Sequence, residues 1–460
     1  MFDRSTFACS RLLSGALAIL MVCGLVSVAS AQDSTRIGFN EAIRIALDQN
    51  TDIKRAANQV DQSDATLKAE WMDFAPTFNI QTSGSRDFGR TFSTQQGGFI
   101  SQTTDFVRIT GQSQLTLFDG FGNIASLRQV QARGESNTLS LERTRQDVIF
   151  EVMNRYITLV ENREILRVQR EELDARRQQL RQTREFVDAG SRPVSALYEQ
   201  EAAVAEQESA VFRSERDLQL AETRLIQTLQ LEPMGTYRFV APSLDDDSLA
   251  VAEYDVKNLL GQAMDRRLDL RAAQAQARAA EHSIRNAKSS YFPSLSLSGS
   301  YGSNWSSNPA RTEPDAFFDL LDERKNGGLS LSLSIPVFQG LRRNVQVEQA
   351  QVQAQNARYA LQDQKQQVAL QVRQAYLDYE NARKQLEVTQ KRLRSARQAR
   401  EAAQERFNLG AASIVELTNA QRTFVDAASQ RVRARYNFLF QQKLIDYYVG
   451  VITPQEALFQ

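Results

Sequence analysis

The sequence predicts a mainly α-helical protein that also supplies strands to a transmembrane β-barrel. Two observations support this fold class. The chain beyond residue 31 contains two copies of one unit, and an internal repeat of this kind reports on the whole architecture. Each copy carries two segments of alternating polarity, followed by long helical patterns. Because four strands cannot close a barrel in hydrocarbon, we expect three chains to form one barrel of about 12 strands, with four strands from each chain.

A secretory signal peptide is predicted at residues 1–31. Arg4 and Arg11 flank the start of an apolar run from Leu12 to Ala29, and Ala29-Ser30-Ala31 has the A-x-A cleavage pattern. An uncleaved membrane anchor is the alternative for a run of this length. Cleavage after Ala31 would remove both cysteines of the chain, so we expect the exported protein to have no disulfide.

Composition argues against a nucleic-acid partner and against an enzyme. The 55 basic residues balance 55 acidic ones, so no basic surface for nucleic acid is indicated. His282 is the only histidine and has no His or Cys partner at metal-ligand spacing. No Gly-rich phosphate loop and no nucleophile elbow occurs in the sequence. We therefore expect no cofactor, no metal and no catalytic residue.

The internal duplication divides the chain into a first repeat, 32–245, and a second repeat, 246–460. Residues 42–53 match residues 259–270 at an offset of 217. The same offset pairs Pro76 with Pro293, and an offset of 220 pairs later positions in the two copies. Those later pairs are Phe118 with Phe338, Gly120 with Gly340, Tyr156 with Tyr376, Gly190 with Gly410, and Leu197 with Leu417.

Each repeat is predicted to run helix, strand, loop, strand, long helix, turn, helix. In the second copy no Gly or Pro occurs from Leu341 to Leu409, and apolar residues keep one heptad phase from Ala350 to Phe407. Such a helix would be about 100 Å long at 1.5 Å per residue. The first copy has a comparable run from Asn123 to Ala189, broken only by Gly134. Four helices of about half that length are expected at 40–74, 194–230, 256–290 and 413–449, so that two lie end to end beside each long helix.

The strand prediction is clearest at Tyr291–Tyr301, where leucines alternate with serines. Similar alternation occurs at Thr77–Phe88, Arg108–Leu117 and Leu329–Val337, and polar loops are expected at Gly89–Thr104 and Gly302–Asn326. A soluble antiparallel sheet also alternates, but the polar side here is almost wholly Ser, Thr and Gln, as in a wet barrel lumen. Aromatic residues at one end of the strands fit either an interfacial girdle or ordinary junction packing: Phe74, Phe118, Tyr291, Phe292 and Phe338.

On these features the chain resembles the TolC-type outer-membrane efflux protein family. The features are the duplication, the Pro-strand and Phe-x-Gly-helix junctions, and the helical turns at Gly190 and Gly410. The resemblance implies a homotrimer in outer-membrane lipid of a Gram-negative-type cell, with its barrel continued by a periplasmic α-helical tunnel. It also implies a periplasmic adaptor protein and an inner-membrane pump of the RND or ABC type. The exported cargo would be drugs, small toxic compounds or, in type I secretion, polypeptides. The rival interpretation is a periplasmic coiled-coil scaffold, which requires that strands be absent.

The resemblance further implies that the two helical turns form a periplasmic tip that gates the tunnel. Glu416 matches an acidic position that lines the pore in such proteins, whereas Asn419 stands where a second carboxylate often occurs. In the first repeat Ala196 stands where a carboxylate can occur, and the neighbouring Ser195 is also expected at the gate. Glu416 could alternatively complete a capping box with Ser413. Phe407 could plug the constriction or pack inside its hairpin.

Other tip residues are expected to hold the gate or to contact the adaptor. Arg192 is a candidate for an ion pair between subunits, although an exposed loop arginine is usually solvated. Gly supplies the left-handed helix stop and Pro193 suits a helix start. The adaptor contacts implied by the resemblance are Gly190, Pro193, Leu197, Gly410, Ser413 and Leu417.

Overall fold

The structure is a computed structural model that describes residues 35–93, 97–240, 252–307 and 317–452. The predicted signal peptide and the predicted boundary between the repeats at 245/246 lie outside these residues. None of the helices in the described ranges is both long enough and apolar enough to span a membrane.

The described elements share a common order in both repeats, namely two helices, two strands, a long helix and a shorter helix, with two short strands added in the first repeat and one short helix added in the second. The first repeat comprises β1 (Thr35–Ile37), α1 (Phe39–Gln49), α2 (Thr51–Met72), β2 (Thr77–Ser93), β3 (Gly98–Phe118), α3 (Gly122–Asp188), α4 (Val194–Thr228) and β4 (Tyr237–Phe239). The second comprises α5 (Val256–Arg266), α6 (Leu268–Ser289), β5 (Ser294–Ser306), α7 (Phe317–Glu323), β6 (Asn326–Ser334), α8 (Arg342–Asn408) and α9 (Ile414–Val449). The predicted duplication is therefore also visible in the structure.

The two long helices were predicted correctly. Helices α3 and α8 are each 67 residues long, and α3 continues through Gly134 without a break. Most of the buried residues of α8 follow the predicted heptad phase, among them Ala354, Val368, Tyr379 and Leu386, and Val372 is an exception. Helices α2 and α4 both pack on α3, and α6 and α9 both pack on α8. Each long helix thus lies beside two shorter ones, as expected.

The prediction that the helices at 40–74 and 256–290 are continuous is wrong, because each is broken near its start. At the first break Asn50 has an extended ψ of 128°, and its side-chain oxygen accepts a hydrogen bond of 2.8 Å from the amide of Asp52. An asparagine N-cap of this kind starts a new helix. At the second break Arg267 is only 2 % exposed and donates to Asp269 and Gln371.

The four predicted strands form one antiparallel sheet in the order β2-β3-β5-β6. The register places Leu115 opposite Leu297, which in turn lies opposite Leu331. The predicted loop at Gly89–Thr104 is largely wrong, because β2 extends to Ser93 and β3 begins at Gly98. The last strand ends at Ser334 rather than Val337, and Pro336 has no N–H to donate to a ladder.

A small parallel pair, β1 with β4, was not predicted. The Tyr156 hydroxyl holds this pair by donating to the carbonyls of Ile37 and Val240, and burial raises the pKa of Tyr156 to about 12. In the second repeat the Tyr379 hydroxyl likewise donates a hydrogen bond of 2.8 Å to a backbone carbonyl, that of Ala252, although no strand pair is described there. The sequence match had paired Tyr156 with Tyr376, so this role has moved by one helical turn between the copies. The two tyrosines lie in the two largest apolar cores of the described chain.

Candidate functional site

One face of the four-stranded sheet carries large apolar side chains, most of which no other described residue covers. Helix α7 packs on the far end of this face, where Phe317 contacts Trp305 and the Ser303 hydroxyl donates to the carbonyl of Leu321. Along β5 this face extends from Leu295 to Trp305, ten residue steps in the register. At about 3.3 Å per step and a tilt of about 40°, that distance corresponds to a band about 25 Å high, the height of the apolar belt of membrane barrels. An ion pair of 2.6 Å between Arg86 and Asp105 lies on the same face two register steps beyond Trp305. Exposed members of the face are Phe78, Ile80, Ile109, Tyr301, Leu329, Leu331 and Leu333.

The opposite face of the sheet is polar. Register pairs on it join Gln114 with Ser298, and Ser298 with Ser330, whose hydroxyls are 2.8 Å apart. Within the described residues neither β2 nor β6 has a partner on its outer edge. A sheet with one apolar face, one wet face and two open edges matches a segment cut from a barrel.

The predicted junction residues lie where the strands and helices meet. Pro76 and Pro293 directly precede β2 and β5, and the Phe118–Gly120 and Phe338–Gly340 segments connect β3 to α3 and β6 to α8. Gly120 has φ +71°, and a Cβ placed there would be 2.5 Å from the Cβ of Phe292. Glycine is therefore required at 120 for two reasons. Gly340 has φ +60° but open space around it.

The outermost helices of each chain expose apolar stripes on their free sides. On α8 the stripe lies about 180° around the helix from the buried seam, at spacings of 7 and 11 residues. It consists of Val345, Val352, Tyr359, Leu370, Leu377 and Val388. On α4 the corresponding stripe consists of Val194, Tyr198, Phe212 and Leu220. The helices contact one another in the rows α2-α3-α6-α8 and α4-α3-α9-α8, so both stripes lie at the edges of the chain.

The two helical turns at the far end of the long helices, here called the tip, have the same geometry. Gly190 and Gly410 adopt φ +70° and +73°, and the following amides return to the carbonyls of Phe186 and Arg406. Both turns are thus glycine-dependent helix stops. Among the residues assigned to the adaptor, Gly190, Pro193, Gly410 and Ser413 are exposed and Leu197 is half-buried. Leu417 is 0 % exposed and packs in the tip core, so its side chain is not at the surface of the described chain.

Arg192 connects the two turns of the same chain. Its Nη2 donates a hydrogen bond of 2.8 Å to the carbonyl oxygen of Phe407, and its guanidinium lies 3.8 Å from the centre of the Phe407 ring. The Phe407 side chain is 4 % exposed and packs inside its hairpin. Sequence reasoning did not find this contact, because the two residues are 215 positions apart.

Glu416 has a partner that the sequence interpretation did not consider. The Ser413 hydroxyl accepts from the Glu416 amide at 3.2 Å, which is one half of a capping box. The Glu416 carboxylate, however, accepts a hydrogen bond of 2.6 Å from Arg406. Asn419 and Ser195 are exposed. The local signal for the ion pair was present, since Arg406 and Glu416 flank the turn at Gly410.

A ladder of ion pairs joins α3 to α4. Arg170, Arg177 and Arg184 pair with Glu215, Glu208 and Glu201 at 2.7, 2.7 and 3.1 Å. Partners on both helices are seven residues apart, as expected in an antiparallel coiled coil. Deeper in this hairpin Arg176 and Glu172 form an ion pair of 3.0 Å in which both side chains are 3 % exposed.

The part of the chain that the structure describes has no group of three or more His, Cys, Asp or Glu side chains able to hold a metal ion.

The one-sided sheet and the long helical hairpins define a class of protein, the outer-membrane channel with a helical extension. The coiled-coil scaffold interpretation is wrong, because it requires that strands be absent and the structure contains a four-stranded sheet.

Comparison with known proteins identifies the family within this class. The family model described as outer membrane efflux protein matches residues 42–229 and 259–450. The chain belongs to the outer membrane efflux protein family.

Individual relatives are distant. The outer membrane protein TolC of Salmonella enteritidis is 28% identical over 203 residues, which are 44% of this chain and 41% of that protein. The TolC protein of Vibrio cholerae serotype O1 is 25% identical over 322 residues, 68% of this chain and 70% of that protein. The crystal structure of the Campylobacter jejuni CmeC outer membrane channel superposes with a TM-score of 0.77 at 18% identity, over 91% of this chain and 87% of CmeC.

Proposed function

We propose that three copies of this chain form an outer-membrane export channel, with a 12-stranded barrel continued by a helical tunnel. One observation supports the proposal: within the described residues, the sheet and both rows of helices end in edges that have no partner, and these edges lie on the same two sides of the chain. The sheet ends in β2 and β6, and the helical rows end in α2 or α4 on one side and in α8 on the other. Side-by-side copies would cover both edges at once.

The levels of the exposed stripes agree with this assembly. Val388 lies 20 residues before the end of α8, and Phe212 lies 18 residues after the start of α4. At 1.5 Å per residue these side chains are about 30 Å and about 27 Å from the tip. The α8 of one copy and the α4 of the next would therefore bring Val388 and Phe212 together. Two copies would give only eight strands, whose interior side chains fill, so three copies are the smallest ring with an open lumen.

The polar face of the sheet then lines the lumen, and the apolar face meets outer-membrane lipid. The tip would extend into the periplasm, where its exposed residues are available to an adaptor protein. Leu409 and Val415 are largely exposed there, beside Gly190, Pro193, Gly410 and Ser413. We propose that an inner-membrane pump of the RND or ABC type delivers small toxic compounds or polypeptides through this route. Export through the signal peptide at 1–31 would place the chain in the outer membrane.

Disulfide trapping tests the assembly, because both natural cysteines precede residue 24. A Phe212→Cys/Val388→Cys variant should form a covalently closed trimer in outer-membrane fractions under oxidising conditions. A Phe212→Cys/Tyr359→Cys variant is the matched control, since Tyr359 lies 29 residues farther from the tip than Val388. Planar-bilayer recordings of the purified trimer should show conductance. A detergent-independent soluble monomer without cross-links would refute the proposed function.

A further inference from the structure

The ion pair at the second tip turn has a direct consequence for what the channel admits. Arg406 lies in the last turn of α8 and Glu416 in the first turn of α9. Arg406 Nη1 is 2.6 Å from Glu416 Oε1, and Arg406 Nη2 is 3.4 Å from the carbonyl oxygen of Ala411. The two side chains are 56% and 43% exposed, so the pair faces solvent.

The position about one helical turn after Glu416, where a second carboxylate would add to its negative charge, does not carry an acidic residue. Asn419, nearly one turn farther along α9, is neutral and exposed. The corresponding position in the first repeat is Ala196, and the nearby cation Arg192 is already bound to the Phe407 carbonyl. Glu416 and Arg406 are therefore the two charges that the turn at Gly410 brings into direct contact.

We propose that Arg406 is a specificity-determining residue, which neutralises Glu416 and removes the cation preference that a ring of free carboxylates would give. This inference rests on the proposed function, in which three tips surround the narrow end of one channel. The constriction then carries three Arg–Glu pairs instead of three bare negative charges. Because the field of a close ion pair decays faster with distance than that of a single charge, anionic and zwitterionic solutes meet no net electrostatic barrier at this level.

Reversal potentials across planar bilayers under a KCl gradient test the assignment. We expect the wild-type trimer to have a K⁺/Cl⁻ permeability ratio near unity. Arg406→Gln should raise that ratio roughly 25-fold, because one unit charge about 4 Å from a passing ion in a water-like medium changes the permeabilities of K⁺ and Cl⁻ by about fivefold each, in opposite directions. Glu416→Gln should shift the ratio in the opposite direction, towards Cl⁻. Arg406→Lys, which keeps the charge, should behave like the wild type.

A matched control is available on the same two helices. Arg392 of α8 pairs with Asp426 of α9 at 2.8 Å, 14 residues farther from the tip than Arg406, or about 21 Å along the helix. Arg392→Gln should leave the permeability ratio unchanged. The Arg406→Gln effect should also shrink between 0.1 M and 1 M KCl, because the Debye length falls from about 10 Å to about 3 Å. A loss of hairpin packing would not produce this salt dependence.

The outcomes separate the inference from the function on which it rests. Conducting trimers whose permeability ratio does not change in Arg406→Gln or in Glu416→Gln would overturn the role of Arg406 and leave the channel intact. A wild type that already strongly prefers cations would also overturn it. Intact trimers that conduct in no variant would refute the channel itself, and the inference with it. If Arg406→Gln does not assemble, the Glu416→Gln shift towards Cl⁻ still decides the question.

Discussion

Replacing Arg176 with Met should destabilise the first hairpin by about 3 to 5 kcal/mol, because it would leave a buried carboxylate without its cation. Arg176 and Glu172 are each 3 % exposed. Arg176 also donates a hydrogen bond of 2.9 Å to the carbonyl of Ala203 on α4. The exposed neighbouring pair, Arg177 with Glu208, provides the control, since Arg177→Gln should cost less than about 1 kcal/mol.

Hydrogen exchange of peptides from α3 and α4 measures this effect locally. A loss of 3 to 5 kcal/mol corresponds to a fall in protection of roughly 100-fold to 4,000-fold, at about 1.4 kcal/mol for each factor of ten. Peptides from α8 should keep their protection. The double variant Arg176→Met/Glu172→Leu should recover most of the loss, because both charges are then absent.

The same variant should depend on pH in a defined direction. Burial raises the pKa of Glu172 above its ordinary value, although the hydrogen bond from Arg176 lowers it. Without Arg176 the pKa of Glu172 should rise further. A carboxyl whose folded pKa exceeds its unfolded pKa stabilises the fold at low pH and loses that contribution as pH rises through the folded value. Arg176→Met should therefore be closer to wild type at pH 5 than at pH 8. Equal destabilisation at both pH values, or no recovery in the double variant, would refute this reasoning.

Two further predictions concern the junctions and the ladder. Gly120→Ala should lower the melting temperature of the trimer more than Gly340→Ala does. Both substitutions carry a left-handed backbone cost of about 1 to 2 kcal/mol, but only the new Cβ at position 120 also meets Phe292. Equal melting temperatures would contradict the close approach of Phe292 at the first junction. Arg177→Glu should reduce the hydrogen-exchange protection of the first hairpin, because it places like charges together. The swap Arg177→Glu/Glu208→Arg should restore the protection, with each step worth less than about 1 kcal/mol. A swap that restores nothing would show that the two side chains do not interact.

The features that the sequence predicted are those that depend on a local period. Alternation by two located the four strands, and the heptad phase of α8 located buried Ala354, Val368 and Tyr379. The helix breaks were missed although Asn50 followed by Asp52 is a local start signal. Ala-rich helical patterns on both sides of each break outweighed that signal. At Arg267 there is no such signal, because its partners include Gln371, 104 residues away.

Contacts between distant segments could not be found from one sequence. The β1 and β4 strands are three residues each and about 200 residues apart, too short for alternation to identify them. The stacking of Arg192 on Phe407 depends on how two separate hairpins pack. Arg406 and Glu416 differ from these cases, since both flank one short turn and a search for ion pairs across Gly410 would have found them.

The duplication did not preserve the chemistry that holds each hairpin together. Shifted by 220 positions, the ladder of α3 and α4 falls on Gln390 with Arg435, Arg397 with Ala428, and Gln404 with Gln421, none of which is an acid–base pair. Helices α8 and α9 are joined instead by Arg392 with Asp426 and by Arg406 with Glu416. Because an ion pair near the tip of the second hairpin also sets the charge of the proposed constriction, changes there would alter hairpin cohesion and solute selection together. In the first hairpin, changes to the ladder would alter cohesion alone.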